Sequence, residues 1–177
     1  KSFFLMAYEF KNASILVVDD MQPMLALTVS LLKIFGFTNI ITATDTEDAF
    51  RKFVMQNPDL VITDWQMEPY DGTVLAKKIR TDSKSPNRFV PIILMTGYSH
   101  MIRVVQARDC GVTEFLVKPF RSKDLYSRIE MLIEKPRTFV DAQSFFGPDR
   151  RRRKPDNYTG PFRRQADREE EALDLSH

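Results

Sequence analysis

Four short apolar runs, each ending in a residue that can bind a cation or a phosphoryl group, constrain this chain more than any other feature. They are Ser14-Ile-Leu-Val-Val-Asp19-Asp20, Leu60-Val-Ile-Thr-Asp64, Pro91-Ile-Ile-Leu-Met-Thr96 and Phe115-Leu-Val-Lys118-Pro119. Runs this short and this aliphatic are typical of strands buried on both faces. A parallel sheet gathers its strand ends on one edge. Three carboxylates, a hydroxyl and an ammonium would then meet in one pocket.

Helical patterns fill the spaces between the runs. Pro23 opens the first near its N-terminus, where a missing N–H does least harm. Leu25, Thr28, Leu32 and Phe35 follow at helical spacing until Gly36 stops it. Residues 39–43 predict a second, weaker strand. Thr46 starts a helix with Ala49, Phe50, Phe53 and Val54 inward, and Asn57-Pro58 ends it. Strands are predicted at 14–18, 59–63, 90–95 and 114–117. Helices are predicted at 72–81, 98–109 and 121–134, the last with Leu125, Ile129, Leu132 and Ile133 on one stripe. Fivefold strand–helix alternation implies an α/β doubly wound five-stranded parallel sheet with helices on both faces. Such sheets bind ligands beyond the carboxyl ends of their strands, where strand order reverses.

The chain divides into an N-terminal extension (1–11), a central domain (12–135) and an Arg-rich tail (136–177). The first residues, Lys1 to Ala7, are too short and too poorly patterned for a signal peptide, and Met6 is a candidate native start. No run reaches the roughly 18–20 apolar residues of a membrane span. Cys110 is the only cysteine, so no internal disulfide can form; this fits a reducing, cytoplasmic setting, with Cys110 packed as a small apolar group.

After Pro136 the apolar periodicity fades. Phe146-Gly-Pro-Asp-Arg-Arg151 is echoed by Thr159-Gly-Pro-Phe-Arg-Arg164. Over residues 150–164, Arg150 to Arg153, Lys154, Arg163 and Arg164 are opposed by Asp156 alone, and acids dominate from Asp167 onward. The tail is expected to be irregular. It is read as solvated, as docking through Phe139, Phe145, Phe146, Tyr158 and Phe162, or as binding nucleic acid or an anionic membrane surface electrostatically. It offers no recognition helix, so sequence-specific DNA binding is not expected.

The pocket has a coherent chemistry. Carboxylates as close as Asp19, Asp20 and Asp64 repel one another, and a divalent cation relieves them. All-oxygen donors favour Mg²⁺, with Mn²⁺ as the alternative. His100 and His177 form no zinc site. Asp64 stands alone at its strand end and is the candidate nucleophile for an aspartyl phosphate. Lys118 and the metal would neutralise the transferring oxygens, Thr96 would donate a hydrogen bond to one of them, and Gly97 would leave them room. As isolated residues these carboxylates would simply be helix caps; five such residues in register at four strand ends are not explained that way.

On these residues, together with Asp71-Gly72, the stretch from about 12 to 135 resembles the receiver domain of two-component response regulators, in its stand-alone chemotaxis form. The resemblance implies that Asp20 and Asp64 bind Mg²⁺ directly with the backbone carbonyl of Gln66, and that Asp19 acts through a metal-bound water. It also implies a cis Lys118-Pro119 bond. Phe115 stands at the family's aromatic switch, a role compatible with plain core packing. Met67-Glu68-Pro69 departs from the family pattern, in which proline follows the methionine directly; this predicts a reshaped loop. Tyr98, beside Thr96, would shield the acyl phosphate from water.

The expected function is therefore a phosphoacceptor switch that catalyses only its own phosphorylation and dephosphorylation. A sensor histidine kinase or histidine phosphotransfer protein would supply Asp64, and altered contacts with an effector protein, or a homodimer, would be the output. The alternatives are a phosphate-independent interaction module and a Mg²⁺-dependent phosphohydrolase. Gln66 sits where the phosphohydrolase would need a second carboxylate, two residues after Asp64.

Overall fold

A computed structural model describes residues 10–97, 109–142 and 145–149. Five parallel strands form the sheet: β1 (Ser14–Val18), β2 (Asn39–Ala43), β3 (Leu60–Asp64), β4 (Ile92–Gly97) and β5 (Glu114–Lys118). Their order is β2-β1-β3-β4-β5. The helices are α1 (Gln22–Ile34), α2 (Thr46–Gln56), α3 (Gly72–Thr81) and α4 (Ser122–Glu134).

Side-chain alternation along the strands builds two cores. Leu16, Val18, Val61, Ile92 and Leu94 face one layer with Phe50 and Phe53 of α2 and Leu75, Ala76 and Ile79 of α3. Ile15, Val17, Ile62, Ile93 and Met95 face the other, with Leu25 and Leu32 of α1 and Leu125, Ile129 and Leu132 of α4. Burial on both faces is why the strands read as unbroken apolar runs.

The chain connections reverse direction between β1 and β3. β1 leads outward to β2 on one side, and β3 leads to β4 and β5 on the other. The carboxyl ends of β1 and β3 therefore flank the crevice where such sheets bind ligands. Strand and helix boundaries agree with the sequence reading to within two residues; Pro91, for example, precedes β4 rather than lying in it. Gly36 and Asn57 close α1 and α2 with φ of 100° and 42°.

Two segments differ from expectation. Phe10, placed by sequence in the N-terminal extension, lies in a short 3₁₀ turn (Phe10–Asn12), is buried, and stacks on Phe37 with ring centroids 4.6 Å apart. Beyond α4, where an irregular tail was expected, β6 (Phe139–Ala142) and β7 (Phe145–Pro148) pair as an antiparallel hairpin. Its strands are too short for a periodic signal, and Pro148 reads in sequence as a breaker. The predicted helix at 98–109 (apart from Asp109), Tyr98, His100, His177 and the arginine run 150–164 lie outside the described residues.

Candidate functional site

Each acid at the carboxyl edge is placed by local backbone chemistry. Asp19 and Asp20 follow β1, and the Asp19 backbone N–H still donates to Ala43 of β2 at 3.2 Å. Asp64 ends β3, opposite Met95 of β4. The next residue, Trp65, donates its N–H to the Met95 carbonyl at 2.9 Å, so the chain stays paired to the sheet one residue beyond the acid.

The three carboxylates converge. One oxygen from each of Asp19, Asp20 and Asp64 lies within 4.8 Å of the others. Asp20 is exposed, whereas Asp19 is fully buried and Asp64 is 4 % exposed. Lys118, from the end of β5, reaches Asp64 Oδ1 with Nζ at 2.6 Å. Sequence therefore brought together four of its named residues at one point.

Asp19 is the least comfortable of them. Its Oδ1 accepts from the Met21 N–H at 2.9 Å, but its buried Oδ2 has no hydrogen-bond partner among the described residues. Burial, with the nearby charge of Asp64, pushes the Asp19 carboxyl above its ordinary value, against the pull of the Met21 hydrogen bond and Lys118. A buried anionic oxygen without a donor costs of the order of kcal/mol. A divalent cation bound by oxygen ligands would satisfy it, so the residues present fit Mg²⁺ or Mn²⁺.

Thr96 is buried, and its hydroxyl donates to the Gly97 carbonyl at 3.2 Å rather than to Asp64. It follows Met95, the register partner of Asp64, and so stands at the same edge. A Cβ on Gly97 would meet nothing within 4 Å among the described residues, so the space beside Thr96 is open. Phe115 is partly buried against the α2–α3 core. Gln66 is exposed and lines a cleft of about 490 Å³ with Asp20, Trp65, Met67, Glu68 and Asp71. The bonds Lys118-Pro119 and Glu68-Pro69 are both cis; only the first was implied by sequence.

Two features beside the site were visible in sequence only as a pattern. Asp71 caps α3, its Oδ1 accepting the N–H groups of Thr73 (2.9 Å) and Val74 (3.2 Å). Gly72 then packs so tightly beneath Asp64 that a Cβ there would lie 2.1 Å from the Asp64 carbonyl oxygen. Asp71-Gly72 thus fixes where the β3 end meets α3, which is a reason for its spacing from Asp64.

The model of the response regulator receiver domain matches residues 15–130. Among curated proteins, the chain is 31 % identical over 125 residues to chemotaxis protein CheY-3 of Vibrio cholerae, covering 71 % of this chain and 95 % of that one. It is 31 % identical over 121 residues to chemotaxis protein CheY of Pseudomonas aeruginosa, covering 68 % and 96 %. Among solved structures, a response regulator receiver domain protein from Clostridium thermocellum superimposes with a TM-score of 0.63 at 29 % identity, covering 70 % and 95 % of the two chains. The CheY4 chemotaxis response regulator of Vibrio cholerae gives 0.62 at 27 % identity, covering 68 % and 98 %. The sheet order, the acidic cluster at the switch point and these likenesses agree: the chain belongs to the response regulator receiver family of two-component signalling, in its chemotaxis-type branch.

Proposed function

We propose that Asp64 accepts a phosphoryl group from a phosphohistidine donor in a Mg²⁺-dependent reaction, and that this changes the protein's contacts with other proteins. The observation that carries the reading is the meeting of Asp19, Asp20 and Asp64 within 4.8 Å, with Lys118 on Asp64. A carboxylate oxygen of Asp64 bonds to phosphorus as the P–N bond of the donor breaks. The released electron pair goes to the imidazole, which takes a proton.

Asp19, Asp20, Asp64 and the Gln66 carbonyl would hold the Mg²⁺. When bound, the ion offsets the charge of the three acids and of the transferring phosphoryl oxygens. Lys118 shares that work from the other side, as a cation already on the Asp64 carboxylate. The Thr96 hydroxyl, whose present bond is to its own neighbour's carbonyl, is free to rotate toward a phosphoryl oxygen. Thr96 and Lys118 would then have a partner that exists in one state only, which biases a two-state equilibrium.

Helix α1 supports a protein donor. Met24, Leu27, Leu31 and Ile34 recur at alternating spacings of three and four, the seam of a helix that packs on another helix. Leu27 and Ile34 are 50 % and 77 % exposed, on a helix that begins two residues after Asp20. This fits the helices of a histidine kinase or phosphotransfer protein.

The direct test is incubation with Mg²⁺ and acetyl phosphate, read by intact mass. The expected result is one phosphoryl group on the wild type and none on Asp64→Asn. No uptake by folded wild-type protein would favour a phosphate-independent module. Leu27→Asp is expected to slow transfer from a phosphohistidine protein while leaving uptake from acetyl phosphate unchanged; equal slowing of both would remove the α1 docking reading.

A further inference from the structure

The amino edge of the sheet, opposite the acceptor, holds a second cluster of buried charge. Glu114 opens β5 and is only 2 % exposed. Its Oε2 accepts from Arg128 Nη1 of α4 at 3.3 Å, and its Oε1 pairs with Arg137, two residues before β6. Next to it, Arg80 is 1 % exposed in the last turn of α3. Arg80 donates to the carbonyls of Gly111 (3.0 Å) and Arg88 (2.9 Å), and Arg88 returns a bond to the Arg80 carbonyl at 3.1 Å. Burial and the nearby Arg88 push the Arg80 pKa down to about 9, so it stays a cation at neutral pH.

The hairpin lies on this surface. Phe139 and Phe146 share one face of it, because their register partners, Pro148 and Asp141, stand two residues apart along the ladder. Both rings meet Phe89 edge-on, with centroids 5.2 and 5.3 Å away. The Arg88 guanidinium sits 3.5 Å from the Phe146 ring centre, and that of Arg80 lies 5.0 Å from Phe139. Arginines stacked on aromatic faces and a buried carboxylate held by two partly exposed arginines are the anchors of this interface.

We propose that Arg80, Arg88, Phe89 and Glu114 form a docking site whose occupant is this chain's own β6–β7 hairpin, and that phosphorylation of Asp64 weakens the docking through β5. The inference rests on the reading of Asp64 as phosphoacceptor. β5 carries both contacts: Lys118 on Asp64 at one end and Glu114 on Arg137 at the other. It is the edge strand of the sheet and pairs with β4 on one side. A phosphoryl group on Asp64 places anionic oxygens beyond the present carboxylate, and Lys118 must follow them. A five-residue strand moves nearly as one piece, so Glu114 loses its seat between the two arginines. Coupling of this kind is reciprocal: whatever loosens the hairpin must favour loading of the acceptor.

The experiment uses the full chain with Mg²⁺ and beryllofluoride, a phosphoryl mimic. Loading is read from Trp65, which is buried beside Asp64, and the hairpin from hydrogen exchange of residues 139–148. Loading is expected to speed exchange of the hairpin amides about fivefold or more, the low end of a typical coupling. Arg137→Gln and, independently, Phe146→Ala are expected to tighten beryllofluoride binding by a similar factor. A Trp65 response with unchanged hairpin exchange, or unchanged affinity in both variants, would overturn the inference and leave the phosphoacceptor standing. A flat Trp65 signal in folded protein would remove the phosphoacceptor reading and the inference together.

Discussion

At the carboxyl edge of the sheet, Asp19 is fully buried and one of its oxygens meets no donor among the described residues. At the amino edge, Glu114 is nearly as buried but holds an arginine on each oxygen. Both are carboxylates at strand ends, in the same sheet. The first cluster gathers like charges with Lys118 as the cation placed against them; the second balances acid with base and satisfies the Arg80 fork with carbonyls. Buried charge paired within the chain holds elements of that chain together, here β5 with α4 and the segment that leads into β6. Buried charge left short of partners is arranged for something that arrives later, and here the missing partner has the chemistry of a small hard cation.

The difference predicts how each edge responds to change. At the amino edge the effect is on stability. Glu114→Gln takes the anion from Arg128 and Arg137, which are 39 % and 23 % exposed and stay partly hydrated, and is expected to cost about 2 kcal/mol, the range of a hydrogen bond to a charged group. Urea unfolding would show a lower midpoint with an unchanged slope, while Mg²⁺-dependent uptake of phosphate by Asp64 persists. A loss below 1 kcal/mol would mean that this pair is ornamental.

Gly72→Ala sharpens the comparison from the other side. Its Cβ would collide with the Asp64 carbonyl oxygen, and overpacking of this kind costs about 2 kcal/mol. Because the strain falls on the acceptor's own backbone, phosphate uptake should slow as well. Full uptake at wild-type rate would show that the close approach does not position Asp64.

The carboxyl edge was legible in sequence because its signal is local. A run such as Leu60-Val-Ile-Thr-Asp64 shows a buried strand and its polar end in five letters, and four such runs share one topology. Pro23, Gly36 and Asn57 likewise mark helix ends by backbone geometry alone. The amino edge was illegible for the opposite reason. Nothing in the sequence pattern singles out Glu114 or Arg80. Their burial depends on Gly111, whose φ of 88° and missing Cβ let the Arg80 side chain pass, and on a hairpin arriving from residues 139–148. Those are tertiary facts with no periodic trace. The same holds for Asp71 and Gly72: their spacing was visible, but the cap and the close approach that explain it were not.

The most direct test of the contrast is Asp19→Asn, unfolded by urea with and without saturating Mg²⁺. Without Mg²⁺ the variant should be more stable than the wild type by about 1 kcal/mol, since one of three crowded acids has gone. With Mg²⁺ the wild type should gain stability by mass action and the variant should gain little or none. Equal stabilisation of both proteins, or a wild type indifferent to Mg²⁺, would contradict the claim that this edge is built to receive a cation.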